Sequence, residues 1–209
     1  MDATSPVQIR TQATAASDWA ALSERIRVCA ACAELAASRT SVVVGQAPTG
    51  ARLLLLGEAP GAEEDARGEP FVGRAGQLLD RTLDQAGLSR ARVAVLNILK
   101  CRPPGNRRPS PDEVARCRGW LDRQLDLLAP SLVVTLGTTA AAALLGRVPS
   151  LASVRGRVHE VTRAGGAAPL RVLPTYHPSA ALRFGPAGEP LRALRADLEL
   201  AARLTARTA

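Results

Sequence analysis

The chain has four cysteines, Cys29, Cys32, Cys101 and Cys117, arranged as Cys-x2-Cys followed much later by Cys-x15-Cys. Two thiol pairs from distant segments predict a single four-thiolate site. Thiolate spacing alone fits tetrahedral zinc and an iron–sulfur cluster equally well. The plainer alternative is a set of buried structural thiols. The amino-terminal stretch has no basic segment followed by an apolar core, so a cytoplasmic setting is expected, and there cysteines serve metals more often than disulfides.

Three further segments carry groups able to do chemistry. Gly57-Glu58-Ala59-Pro60-Gly61-Ala62-Glu63-Glu64-Asp65 combines glycines, which let a backbone approach a ligand, with acids that order water or stabilise a cation. It lacks the Gly-Lys-Ser/Thr of a phosphate loop and the three-glycine dinucleotide pattern. Asn97 closes an apolar run, where a polar side chain is costly unless satisfied, and its amide offers a donor and an acceptor side by side. His177 follows another apolar run, in Tyr176-His177-Pro178-Ser179; the other histidine, His159, is read as structural. Between these lies Arg102-Pro103-Pro104-Gly105-Asn106-Arg107-Arg108-Pro109-Ser110, a stiff cationic loop suited to phosphate contacts.

These groups need elements to position them. Four apolar runs end in turn signals: Leu53 to Leu56, Val93 to Leu96, Leu132 to Leu136, and Val172 to Leu173. Helical patterns over Gly73 to Ala86, Pro111 to Leu128 and Thr138 to Leu145 alternate with them, and Leu191 to Leu204 reads as a closing helix. Such alternation predicts a parallel sheet covered by helices on both faces, with ligands at the carboxyl ends of the strands. Asp18 to Leu35 reads as one helix, residues 1–17 as a loose tail, and 18–209 as one domain. Basic residues outnumber acidic ones 27 to 19, a net charge of +8 carried almost wholly by arginine, which suits a polyanion partner. No stretch approaches the ~20 apolar residues of a membrane span.

In order along the chain, Cys29-Ala30-Ala31-Cys32, GEAPGAEED from Gly57, PFVGRAGQLLD from Pro70, NILKCRPPGNRRPSPDE from Asn97, Cys117, LGTTAAAALLG from Leu136, SVRGRV from Ser153 and HPSAALR from His177 resemble the fourth, iron–sulfur-containing family of uracil-DNA glycosylases. The resemblance implies a three-layer α/β/α sandwich around a four-stranded parallel sheet, and a [4Fe–4S] cluster, with zinc as the alternative, on Cys29, Cys32, Cys101 and Cys117. It implies that Phe71 stacks on a flipped uracil, Asn97 reads its edge and His177 bonds its O2 as charge builds on the leaving base. Glu58 and Glu64 become the acids that position water and stabilise the sugar cation, with Asn106 as a helper. Ala59 lies where many uracil glycosylases place an aspartate, and Gly61 where they place a tyrosine. Leu182 is the expected wedge into the duplex, beside Arg183.

The expected partner is therefore uracil-containing DNA, bound by a monomer that leaves an abasic site without cutting the strand. Two other readings compete. One is a protein covalently trapped on uracil-DNA through a histidine in the basic loop, which has none here. The other is a non-catalytic, metal-containing DNA-binding protein.

Overall fold

The computed structural model describes residues 5–163 and 168–206. Its elements run α1 (Pro6–Thr14), α2 (Trp19–Arg27), α3 (Ala33–Ser38), β1 (Leu53–Gly57), α4 (Ala62–Arg67), α5 (Arg74–Gln85), β2 (Ala94–Asn97), α6 (Pro111–Leu128) and β3 (Leu132–Leu136). They continue through α7 (Thr138–Leu145), α8 (Leu151–Val154), β4 (His159–Val161), β5 (Leu170–Thr175), α9 (Pro178–Phe184) and α10 (Glu189–Ala206).

The four predicted strands are parallel and stand in the order β2-β1-β3-β5. A fifth, β4, adds antiparallel to β5 at the edge, so the sheet is mixed and five-stranded. This short strand is only half buried, and with few apolar residues it lacks the signature of the inner strands.

The inner strands are buried on both faces, yet they still sort by a period of two. Leu54, Leu56, Ala94 and Leu96 face Leu121 and Leu125 of α6 and Ala140 and Leu144 of α7. Leu53, Leu55, Val93 and Val95 face Leu79 and Leu83 of α5 and Leu194 and Leu198 of α10. These two apolar layers make the sandwich.

The expected loose tail is instead partly helical. Ser5 and Gln8 form a reciprocal capping box on α1, whose Ile9 and Ala13 are buried with Leu22, Ile26 and Trp120 in a third, smaller core. Seating depends on Gly119 in α6, where an added Cβ would come within 3.0 Å of the Arg10 backbone. The helix predicted over Asp18 to Leu35 is two, broken at Cys29–Cys32, and both of these thiols line one cavity. No described helix is long and apolar enough to cross a membrane.

Candidate active site and cysteine cavity

Strand order reverses between β1 and β3, and the crevice expected there exists. A cleft of about 250 Å³ is lined by Glu58 and Ala59 after β1, Asn97 at the end of β2, His177 after β5, Glu64 of α4, Ser179 of α9, and Phe71 and Asn106 from the segments between helices and strands. A second cleft joins it, sharing Glu58, Ala59, His177 and Ser179, and extends over Arg108, Thr138, Thr139, Tyr176 and Arg183.

The floor of the first cleft is shaped by a missing side chain. A Cβ on Gly57 would come 2.3 Å from Asn97 Oδ1 and 2.6 Å from Phe71 Cζ. Asn97 is buried, and its Oδ1 has no hydrogen-bond partner among the described residues. A buried acceptor left open at a cleft is free energy held for a ligand that donates to it. Phe71 is also buried and has φ 55, a left-handed backbone uncommon for a bulky residue. Its ring centroid lies 5.7 Å from that of His177, tilted by 36°.

His177 caps α9. The Ser179 N–H donates to its Nδ1 at 3.1 Å, and Ser179 Oγ lies 2.8 Å from the same nitrogen. A backbone N–H can only donate, so Nδ1 accepts and the neutral ring carries its proton on Nε2. Burial pushes the imidazole pKa down to about 4, opposed by the charge of Glu64. His177 is thus a neutral donor.

The two glutamates differ. Glu64 Oε1 accepts the N–H groups of Val72 and Gly73, both at 2.9 Å, and Oε2 accepts that of Gly61 at 3.1 Å. Its carboxylate is committed to holding the loop that carries Phe71. Glu58 lines both clefts, half buried, and its carboxylate has no hydrogen-bond or ion-pair partner among the described residues. Asp65, read in the sequence with the acids of this segment, is instead buried and accepts from the N–H groups of Thr40 and Ser41.

The basic loop is less available than its composition predicts. Arg107 makes a paired contact with Glu113, at 2.7 and 3.0 Å, and reaches Glu34 at 3.0 Å. Asn106, with φ 55, accepts from Arg102 Nε at 2.8 Å. Arg108 Nε and Nη2 both point to Thr139 Oγ1, at 3.3 Å. On α9, Leu182 is exposed and Arg183 lines the second cleft, whereas Ala181 is buried. His159 Nε2 lies 2.8 Å from the Val154 carbonyl, away from either cleft.

On the far side of β2, Cys29, Cys32, Cys101 and Cys117 line one cavity with Ile26, Leu35, Leu99 and Trp120. None is in a disulfide. Trp120 Nε1 donates to Cys29 Sγ at 3.4 Å and Arg39 Nη1 to Cys101 Sγ at 3.0 Å. Burial pushes the Cys32 thiol up to about 11 and that of Cys117 to about 12. Burial alone favours the neutral thiol, while the N–H donors turned toward two of the sulfurs are of the kind that supports a coordinated thiolate. Among the described residues no three Cys, His, Asp or Glu side chains converge as the shell of one ion. All four thiols nevertheless line the same cavity. Lys100, the chain's only lysine, is buried here and not in the base cleft, its Nζ donating to the Asn97 carbonyl at 2.7 Å.

A cleft with an open buried amide oxygen, an aromatic wall, a neutral imidazole donor and a free carboxylate is equipment that suits a planar heterocycle. The family model for the uracil DNA glycosylase superfamily matches residues 44–199. A Type-4 uracil-DNA glycosylase of Thermotoga maritima is 44% identical over 78% of this chain and 82% of its own length. One of Archaeoglobus fulgidus is 42% identical over 75% and 79%. A Type-5 uracil-DNA glycosylase of Pyrobaculum aerophilum is 34% identical over 62% of each chain. The chain belongs to the uracil DNA glycosylase superfamily, and within it to the Type-4 glycosylases.

Proposed function

We propose that the protein hydrolyses the N-glycosidic bond of uracil in DNA, leaving an abasic site for base excision repair, and that the first cleft receives the flipped base. The open Oδ1 of Asn97 carries this reading. It accepts from N3–H of uracil while the amide N–H₂ donates to O4, a pairing that cytosine, with an acceptor at N3 and a donor at C4, does not offer.

Phe71 stacks on the base. As the bond to C1′ breaks, electrons pass to the base, and the Nε2–H of His177 stabilises the charge growing on O2. Glu58 faces both clefts, so it is the group that orients water toward C1′ and stabilises the positive sugar; the water's oxygen bonds to C1′ and its proton is released. Glu64 acts earlier in the chain of causes, by positioning Phe71, and Asn106 and Ala59 contribute wall and backbone. Leu182 enters the duplex where the base has left, and Arg183 approaches the backbone of the strand. Lys100, the chain's only lysine, is sequestered among the cysteines, so no lysine amine is placed to form a Schiff base, and strand cleavage is not part of the reaction.

The cysteine cavity suits a [4Fe–4S] cluster on Cys29, Cys32, Cys101 and Cys117, because thiols that line one cavity without converging as the shell of one ion suit a group of several atoms better than one zinc ion. Such a cluster ties α2 and α3 to the segment after β2 and supplies no step of the hydrolysis. We read the protein as a cytoplasmic monomer of one domain, since each copy has a complete cleft.

Incubating it with a single-uracil oligonucleotide, beside thymine and cytosine controls, and scoring alkali-labile breaks tests the reading. Uracil-specific breaks that disappear in Asn97→Ala support it. An absence of breaks from cluster-loaded protein, or a stable protein–DNA adduct on a denaturing gel, overturns it.

A further inference from the structure

The chain has five aromatic residues. Trp120 and Phe71 are buried and Trp19 and Tyr176 half buried, but Phe184 is 65% exposed. It ends α9, the helix that His177 caps, and so stands on the element that borders both clefts. Ala180 and Arg183 line the second cleft, and Phe184 follows Ala180 by four residues, which places it on the same side of the helix. Leu182, also exposed, follows by three Ser179, a residue that borders both clefts. One short helix thus presents an aliphatic side chain, a guanidinium and an aromatic ring along the rim where a DNA strand must pass.

We propose that Phe184 is a stacking platform for an unpaired base beside the excised nucleotide, with Arg183 on the adjoining phosphate. The occupant is a nucleic-acid strand because of the charge around it. Arg183 has no partner among the described residues, Arg108 holds only a threonine hydroxyl across the cleft, and the whole chain carries +8. A ring beside such cations takes the face of any base, without reading its identity. The expected consequence is a grip on uracil in single-stranded or locally melted DNA, where neighbouring bases are free to stack.

This inference rests on the glycosylase reading but is tested by binding. The probe is a single-stranded oligonucleotide with one abasic-site analogue and 2-aminopurine at the flanking position, titrated with wild type, Phe184→Ala, Phe184→Leu, Phe184→Trp and Arg183→Ala. Stacking predicts quenching of the 2-aminopurine by wild type and Phe184→Trp, and a dissociation constant raised about 5- to 150-fold in Phe184→Ala. Phe184→Leu should resemble the alanine variant. The slope of log affinity against log salt should be unchanged in both and shallower by about 0.7 in Arg183→Ala. Because Phe184 is exposed, all its variants should melt with the wild type.

Binding by Phe184→Ala within twofold of wild type, or by Phe184→Leu as tight as wild type, overturns the proposal while the glycosylase reading stands. Wild type that neither binds nor excises uracil overturns both.

Discussion

Glu64 fixes Phe71 without touching its ring: the two amides that follow Phe71 in the chain both donate to a single oxygen, Oε1, at 2.9 Å. The other oxygen ties down Gly61, so one carboxylate spans the two loops that wall the cleft. Phe71 itself sits at φ 55, a conformation that a free loop would relax.

The two glutamates should therefore fail in different ways. Glu64→Ala strands three amides and is expected to lower stability by about 1–3 kcal/mol, measured as the urea midpoint, with a raised KM. Glu58→Gln removes a charge that nothing else uses. It is expected to keep the wild-type midpoint and lower kcat by about 10²-fold or more under single-turnover conditions. A stable, slow Glu64→Ala would assign catalysis to the wrong acid.

The pH dependence follows from His177. Its pKa falls from 6.5 free to about 4 in the fold, so the unfolded chain binds the proton more readily. The stability tied to this ring is complete above 6.5 and is lost as pH falls from there toward about 4. Excision, which uses the neutral ring, should show no acid-side inflection near 6.5 and should decline only on approaching about 4. An inflection in kcat/KM close to the free value, absent from His177→Gln, would mean the ring is not held as described.

Gly57→Ala should close the pocket. Its Cβ would collide with Asn97 Oδ1 and the Phe71 ring, at 2.3 and 2.6 Å. The overpacking costs about 1–3 kcal/mol, and the sharper effect is on the ligand. Inhibition by free uracil, measured against wild type, should weaken at least about tenfold, the loss expected when a buried pair of hydrogen bonds cannot form.

At the cysteine cavity, Arg39→Gln and Trp120→Phe each withdraw an N–H from a sulfur, at Cys101 and Cys29 respectively. With the proposed iron–sulfur cluster in the cavity, both variants should bleach faster than wild type in an iron chelator, followed by visible absorbance, since donors to coordinating sulfur stabilise the bound state. Complete removal of the iron should lower the melting temperature. Equal bleaching rates in all three proteins would mean these donors do not act on the cluster.

The sheet was legible because strands buried on both faces announce themselves as unbroken apolar runs; α6 was legible because Ser110, Pro111 and Glu113 spell a capped start, and Pro111–Leu128 is the helix observed. β4 was not, since His159-Glu160-Val161 has no apolar pattern to show. Nor was α1, whose buried face is only Ile9 and Ala13, a signal too sparse to separate from a polar tail. The side chains that the sequence singled out at the strand ends do line one cleft, but the sequence could not divide labour between Glu58 and Glu64. That division depends on amides eight and nine residues from Glu64, and a backbone donor leaves no trace in residue types. Arg107 misled for a related reason: its partners Glu113 and Glu34 come together only in the fold.

The contact of α1 with Gly119 reaches further than its size implies. The segment matched by the superfamily begins at residue 44, yet Cys29, Cys32 and the helix that backs Trp120 all precede it. The wall between one side of the thiol cavity and bulk water is thus built from chain that the catalytic fold does not need for its sheet. Whatever is joined to the amino terminus, a purification tag or a fusion partner, pulls on a helix seated backbone to backbone on a single glycine, one residue from the indole that touches Cys29. A disturbance there bears first on the thiol cavity, and it stands one residue from the cleft's floor, because Lys100 lines that cavity and holds the Asn97 carbonyl.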